Sequence, residues 1–212
     1  MLNSGPISWI VASHDPEILL KNLAASMVDV GSDQVIVVEN APSIAVAYNE
    51  GQAKADFPVR CYVHHDVQIL NLPRLRAELV EHATDAVGMV GVVGSRTVAL
   101  PWWSGVCLGS VVDGRHGVLG FGEGGPCAIL DGLLLATAQH VEWDETIPGW
   151  HGYDADACLQ MAARGLPNEC VGGGHELVAH NTNNSRDPDE LNGFHDAMAR
   201  VKQKWGTDGA GR

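Results

Sequence analysis

The chain has 212 residues, 45% of them hydrophobic and 18% charged, which suits one globular domain with a sizeable core. Its formal net charge of −13 argues against a nucleic-acid backbone or an anionic membrane surface as the main partner. The five cysteines, at 61, 107, 127, 158 and 170, form no Cys-x-x-Cys pair, and their odd number favours reduced thiols in a cytoplasm over a disulfide frame. The first residues lack a basic signal-peptide region and no apolar segment reaches the length of a membrane span, so the expected setting is cytoplasmic.

Ser8 to Ala12 reads as a first buried strand, punctuated by Ser13-His14-Asp15-Pro16. Pro16 to Met27 has helical spacing, with Asp15 as N-cap. Gln34 to Val38 is a Val/Ile-rich strand ended by Glu39-Asn40-Ala41-Pro42, and Ile44 to Ala55 reads as a helix containing Asn49 and Gly51. Val59 to Val63 is a third strand and runs into His64-His65-Asp66. Leu72 to His82 is a helix opened by Pro73, and Ala86 to Val93 a fourth buried strand. This alternation predicts an α/β domain with a mixed, mostly parallel sheet flanked by helices, spanning residues 1–205. Ligands in such sheets sit beyond the carboxyl ends of the strands, so the polar ends at 13–15, 39–40 and 64–66 are expected to converge on one site.

The second half is less regular. Val98 to Val112, with Trp102 and Trp103, suits a core strand, a binding wall or an oligomer interface. Residues 113–126 are glycine-rich without the Gly-Lys-Ser/Thr ending of a P-loop, and the expectation is a mobile loop able to close over a ligand. Cys127 to Ala138 is apolar around Asp131-Gly132. Trp150-His151-Gly152-Tyr153-Asp154-Ala155-Asp156 leads into a helix over Ala157 to Arg164, stopped by Gly165. Pro188 to Trp205 is a final helix, and 206–212 a frayed tail.

Two clusters carry chemistry. A carboxylate and two imidazoles at the end of a buried strand are costly unless they bind something, and a divalent ion suits Asp66 with either histidine. The plainer reading makes Asp66 a turn cap and His64 and His65 half-buried histidines. Asp154 and Asp156 have the spacing of a helix cap and its neighbour, and one of them equally suits a general base. His180 opens a very polar run, either a solvated loop or a segment that folds back onto the metal or phosphates.

In order, these residues resemble the GT-A fold nucleotide-sugar glycosyltransferases, specifically their family-two-like members. The resemblance covers residues 6 to 185 and rests on Ser13-His14-Asp15, Glu39-Asn40, Ala47-Tyr48-Asn49-Glu50-Gly51, His64-His65-Asp66, Asp131-Gly132, Trp150 to Leu159 and the late His180. It implies a single Rossmann-like domain that moves a sugar from a nucleoside diphosphate sugar, a UDP-sugar by family habit, to an acceptor hydroxyl with inversion. It implies nucleotide contacts from Ser13, His14, Asp15, Glu39, Asn40, Asn49, His64 and His65. Asp66 falls on the last carboxylate of the Asp-x-Asp motif and, with His180, is implied to hold Mn²⁺ or Mg²⁺. Asp154 falls on the general base of the Glu-Asp pattern. Trp102, Trp103, Asp131, Gly132, His151, Tyr153 and Asp156 are placed on the sugar or acceptor side. Histidine stands at the first acidic position of Asp-x-Asp, and Tyr153 where the family has Glu. No Gln-x-x-Arg-Trp motif of processive synthases is present. The alternatives are a nucleotide-binding protein of the same fold with lost catalysis, or a nucleotidyltransferase.

Overall fold

Seven consecutive buried residues, Ile7 to Ser13, form strand β1 at the heart of the sheet. The computed structural model describes residues 5–173, 175–181 and 188–206. Past β1, Asp15 caps α1 (Pro16–Leu19), its carboxylate accepting from the Glu17 and Ile18 amides at 2.9 and 3.1 Å. Pro16 takes the first helical turn, where no N–H is needed, and a π-helical turn, Leu20–Ala24, extends the helix. Next come β2 (Gln34–Glu39), α2 (Ile44–Ala53) and β3 (Val59–His64). A short β4 (Val67–Ile69) precedes α3 (Leu72–His82), which Asn71 caps.

β2 and β3 pair in parallel with β1 on its two sides. Register sets Ser13 beside Glu39 and Ala12 beside His64, so the three carboxyl ends lie abreast. The strand order reverses here, the place where open α/β sheets leave a crevice. Asp33 ties the opposite end together: its carboxylate accepts from the Ile7 amide, the Trp9 indole and the Arg76 guanidinium.

Beyond α3 the chain departs from expectation. Instead of one strand over Ala86 to Val93 there are two short ones, β5 (Val90–Gly91) and β6 (Val93–Ser95), in different sheets. Residues 88 and 89 are pinned from the side by Thr137 and Asn168, at 2.6 and 3.0 Å, so pairing begins only at Val90. A 3₁₀ turn, Trp102–Ser104, then leads to β7 (Cys107–Asp113). The stretch expected as a loop carries β8 (Gly117–Gly120), antiparallel to β7, and β9 (Gly125–Cys127). Gly117, at φ +73°, supplies the left-handed conformation that lets the chain double back. β10 (Ile129–Leu130) and β11 (Leu134–Thr137) flank Asp131-Gly132.

Helix α4 (Tyr153–Ala163) begins four residues before the expected Ala157, behind Gly152 at φ +76°. Asp154 and Asp156 therefore lie inside its first turns and neither is the N-cap, which corrects the capping reading. β12 (Asn168–Cys170), β13 (Val178–His180) and α5 (Pro188–Trp205) complete the described chain. The polar run after Asn181, at 182–185, and the tail beyond Gly206 lie outside the described residues.

The strands form a seven-stranded mixed sheet, ordered β2-β1-β3-β11-β5-β12-β9, and a second sheet ordered β10-β6-β7-β13-β4, with β8 on β7. In the first, β11 and β9 run against the other five. No helix among the described residues is long and apolar enough to cross a membrane.

Candidate active site

A cavity of about 950 Å³ opens over the carboxyl ends of β1 and β3. Its floor holds His64, Asp66 and His180, brought together by β3, the turn into β4, and β13. β13 pairs antiparallel with β4, which sets His180 opposite Val67 and next to Asp66. His180 Nε2 is 3.4 Å from Asp66 Oδ1, and His64 Nδ1 is 3.9 Å from it. One ligand atom from each residue lies within 4.8 Å of the others. Asp66 Oδ1 is buried and accepts no hydrogen bond among the described residues. A buried carboxylate oxygen whose nearest donor is an imidazole at 3.4 Å is poorly satisfied, and a divalent cation would satisfy it. The residues present therefore fit such an ion.

The electrostatics treat the two histidines differently. Burial works against the charge of Asp66, but His180, His64 and His65 hold its carboxyl well below the usual range. Burial lowers His64 to about 4, leaving a neutral imidazole with a lone pair to offer. Burial also opposes a charged His180, yet the adjacent Asp66 raises it overall. His64 Nε2 is hydrogen-bonded to Tyr153 Oη, which orients the ring. Tyr153 is in turn boxed in by Tyr48 and Trp143, at ring separations of 5.7 and 6.0 Å.

Across the cavity, two carboxylates face each other from the β10–β11 link and α4. Asp131 accepts from the Trp102 indole at 2.7 Å and the Leu133 amide at 2.8 Å. Asp154 accepts from the Gly132 and Ala155 amides at 3.1 and 2.8 Å. Burial and the nearby Asp131 push the Asp154 carboxyl up to about 7, against the pull of those amides. Gly132 is required at its position, because a Cβ there would run into the Tyr153 hydroxyl.

The other expected residues divide. His14 and His65 line the cavity, their rings 4.5 Å apart, and His14 also packs on Trp150. Ser13 is buried behind them, its hydroxyl 3.1 Å from His65 Nδ1. Trp102, Trp103, His151 and Tyr153 also line it. Asp15 is spent on capping α1. Glu39 and Asn40 are exposed at the end of β2, outside the cavity lining. Asn49 lies away from the cavity, donating to the Trp143 carbonyl and to Glu145. Asp156 also sits outside it, accepting from Gln160, Lys204 and the Trp205 indole and so fastening α5 to α4. These ties to Trp143, Glu145, Lys204 and Trp205 hold Asn49 and Asp156 away from the cavity lining.

Sequence reasoning missed the wall contributed by Arg115, His116, Phe121 and Phe194. The signal was present for the first two: an Arg-His pair interrupting a glycine-rich stretch of an acidic chain.

Residues 25–184 match the model of a glycosyltransferase-like family, well over half of the chain, and the chain belongs to that family. Among solved structures, it resembles a mannosyltransferase from Pyrobaculum calidifontis in complex with GDP-Man and Mn²⁺, at 13% identity and a TM-score of 0.62, over 98% of this chain and 66% of that one. It also resembles GalNAc-T7 with UDP, GalNAc and Mn²⁺, at 12% identity and a TM-score of 0.60, over 97% of this chain and 49% of that one. At these identities the likeness establishes the GT-A fold. The chain spans less than two thirds of either structure's length. No curated protein matches the chain.

Proposed function

We propose that this chain transfers a sugar from a nucleoside diphosphate sugar to an acceptor hydroxyl, with inversion at the anomeric carbon. The observation that carries this reading is one cavity holding both the His64–Asp66–His180 cluster and Asp154, a carboxyl raised to about 7. A base is most effective when its pKa lies near the working pH. The acceptor oxygen attacks the anomeric carbon from the face opposite the diphosphate, and its proton passes to a carboxylate oxygen of Asp154. The new carbon–oxygen bond forms as the bond to the diphosphate breaks, and that electron pair leaves on the diphosphate oxygen. A single displacement of this kind inverts the configuration. Asp131 is fixed by Trp102 and Leu133, so it stays beside Asp154 and keeps it basic.

His64, Asp66 and His180 would hold the cation, and two imidazoles with one carboxylate favour Mn²⁺ over Mg²⁺. When bound, such an ion acts as a Lewis acid that neutralises charge on the diphosphate leaving group. His14, His65 and the strand ends around them would form the nucleotide side, with a UDP-sugar as the first donor to try. The GDP-Man named for one similar structure, the UDP and GalNAc named for the other, and the Mn²⁺ named for both support a donor and an ion of this class. Trp102, buried, and Trp103, 57% exposed, would present the acceptor side.

Product analysis tests the reading. Incubation with UDP- and GDP-sugars, Mn²⁺ and a panel of hydroxyl acceptors should release free nucleoside diphosphate and a glycosylated acceptor. Asp154→Asn should bind the donor yet transfer nothing. Release of pyrophosphate would point to a nucleotidyltransferase instead, and normal turnover by Asp154→Asn would remove the base assignment.

A further inference from the structure

We infer that Arg115, on the turn between β7 and β8, grips the diphosphate of the donor and stabilises it as it leaves. The inference rests on the nucleotide-sugar reading above. The problem it addresses is charge. The chain carries −13 overall, and Asp66, Asp113, Asp131 and Asp154 all line the cavity. A diphosphate entering that space meets repulsion that one divalent ion only partly offsets. Among the described residues, Arg115 is the only Lys or Arg on the cavity wall.

The turn is built to present it. Asp113 Oδ1 accepts from the Arg115 amide at 2.9 Å, the His116 amide at 2.9 Å and His116 Nδ1 at 2.8 Å. That oxygen is therefore engaged within the turn, and no hydrogen bond or ion pair among the described residues holds the Arg115 guanidinium. The turn is also locked onto the metal-binding strand. β13 pairs in parallel with β7, so His180 is the register partner of Asp113, and the Gly114 amide donates to the His180 carbonyl at 2.9 Å. Arg115 thus sits two residues beyond the partner of His180, on a side chain long enough to reach over the same cavity. A guanidinium offers a planar fork of donors that matches phosphate oxygens two at a time. Negative charge grows on the diphosphate as the bond to the sugar breaks, so the same contact strengthens toward the transition state.

Substituting Arg115 removes no side-chain hydrogen bond or ion pair among the described residues, which makes the test clean. Binding of UDP and of GDP, each with saturating Mn²⁺, is measured by calorimetry on the wild-type chain, Arg115→Ala and Arg115→Lys. Uridine, guanosine and Mn²⁺ alone serve as control ligands. Arg115→Ala should weaken nucleoside diphosphate binding roughly 10- to 100-fold, the worth of a charge-assisted contact. Mn²⁺ and nucleoside binding should be unmoved, and Arg115→Lys should fall between. If the wild-type chain binds UDP or GDP and Arg115→Ala binds it within twofold, the inference is overturned while the nucleotide-sugar reading stands. If the wild-type chain binds neither with Mn²⁺ present, both are overturned.

Discussion

Removing one oxygen atom, in Tyr153→Phe, should weaken the proposed metal site without touching any of the three residues assigned to hold the ion. A cation on His64 Nδ1 requires the ring proton on Nε2, and among the described residues Tyr153 Oη is what Nε2 meets. The hydroxyl therefore accepts that proton's hydrogen bond and fixes both tautomer and ring orientation. Phenylalanine keeps the ring contacts with Tyr48 and Trp143, at 5.7 and 6.0 Å, so the packing around this 3% exposed side chain survives. What is lost is the partner of a secluded N–H, worth about 1–3 kcal/mol. Loss of a hydrogen bond that orients a metal-ligating histidine lowers metal affinity roughly 10- to 100-fold.

Titration of Mn²⁺ into wild type and Tyr153→Phe, by calorimetry at pH 7.5, reads this directly. Circular dichroism and a melting curve confirm that the variant is folded. A folded Tyr153→Phe with Mn²⁺ affinity within twofold of wild type would refute the orienting role, and with it the assignment of His64 as a ligand.

Other changes have definite outcomes. Transfer should rise with pH to a plateau above about 7, following ionisation of Asp154. The folded chain holds this carboxyl above its ordinary 3.8, so the stability it lends is full below that value and lost as pH rises through about 7. In Asp154→Asn the fall in melting temperature between pH 5 and pH 8 should therefore shrink. Gly132→Ala should displace the Tyr153 hydroxyl and reproduce the Mn²⁺ defect of Tyr153→Phe, seen in the same titration. Asp33→Ala leaves the Ile7 amide, the Trp9 indole and Arg76 without their acceptor, and chemical denaturation should show a loss of about 3–5 kcal/mol. Trp103→Ala, at an exposed position, should raise the acceptor KM while leaving donor binding unchanged, and loss of its ring contacts with Trp102 and Phe194 should lower the melting temperature slightly.

β1, β2, β3 and the helices after them were readable because those strands are long, β-branched and separated by helices with visible starts, whereas the three-residue β4 and the split strand after α3 were not. Asp15 and the Pro at the head of α1 behave as their residue types dictate, and the strand ends at Ser13, Glu39 and His64 align by register. The second half resisted because its strands run mostly from two to four residues, too short for alternation to show. Glycine content suggested a loop where β8 and β9 lie, since edge strands tolerate glycine that propensity disfavours. At the site, the residues alone left His180 between a solvated loop and a segment folding back onto the metal, because the contact with Asp66 is made by pairing β13 with β4 across more than a hundred residues. Asn49 and Asp156 show the opposite limit. Amides and carboxylates that bind ligands also tie loops and helices, and their partners at Trp143, Glu145, Lys204 and Trp205 are far off in sequence.

The central claim is that the His64–Asp66–His180 cluster and the crevice beside it form a metal-dependent nucleoside diphosphate site. The most direct measurement is calorimetric binding of UDP and GDP to the wild-type chain and to Asp66→Ala, each with Mn²⁺ and with a chelator. Wild-type binding should need Mn²⁺ and should disappear in Asp66→Ala. Binding that is equal with chelator, or unchanged in Asp66→Ala, would contradict it.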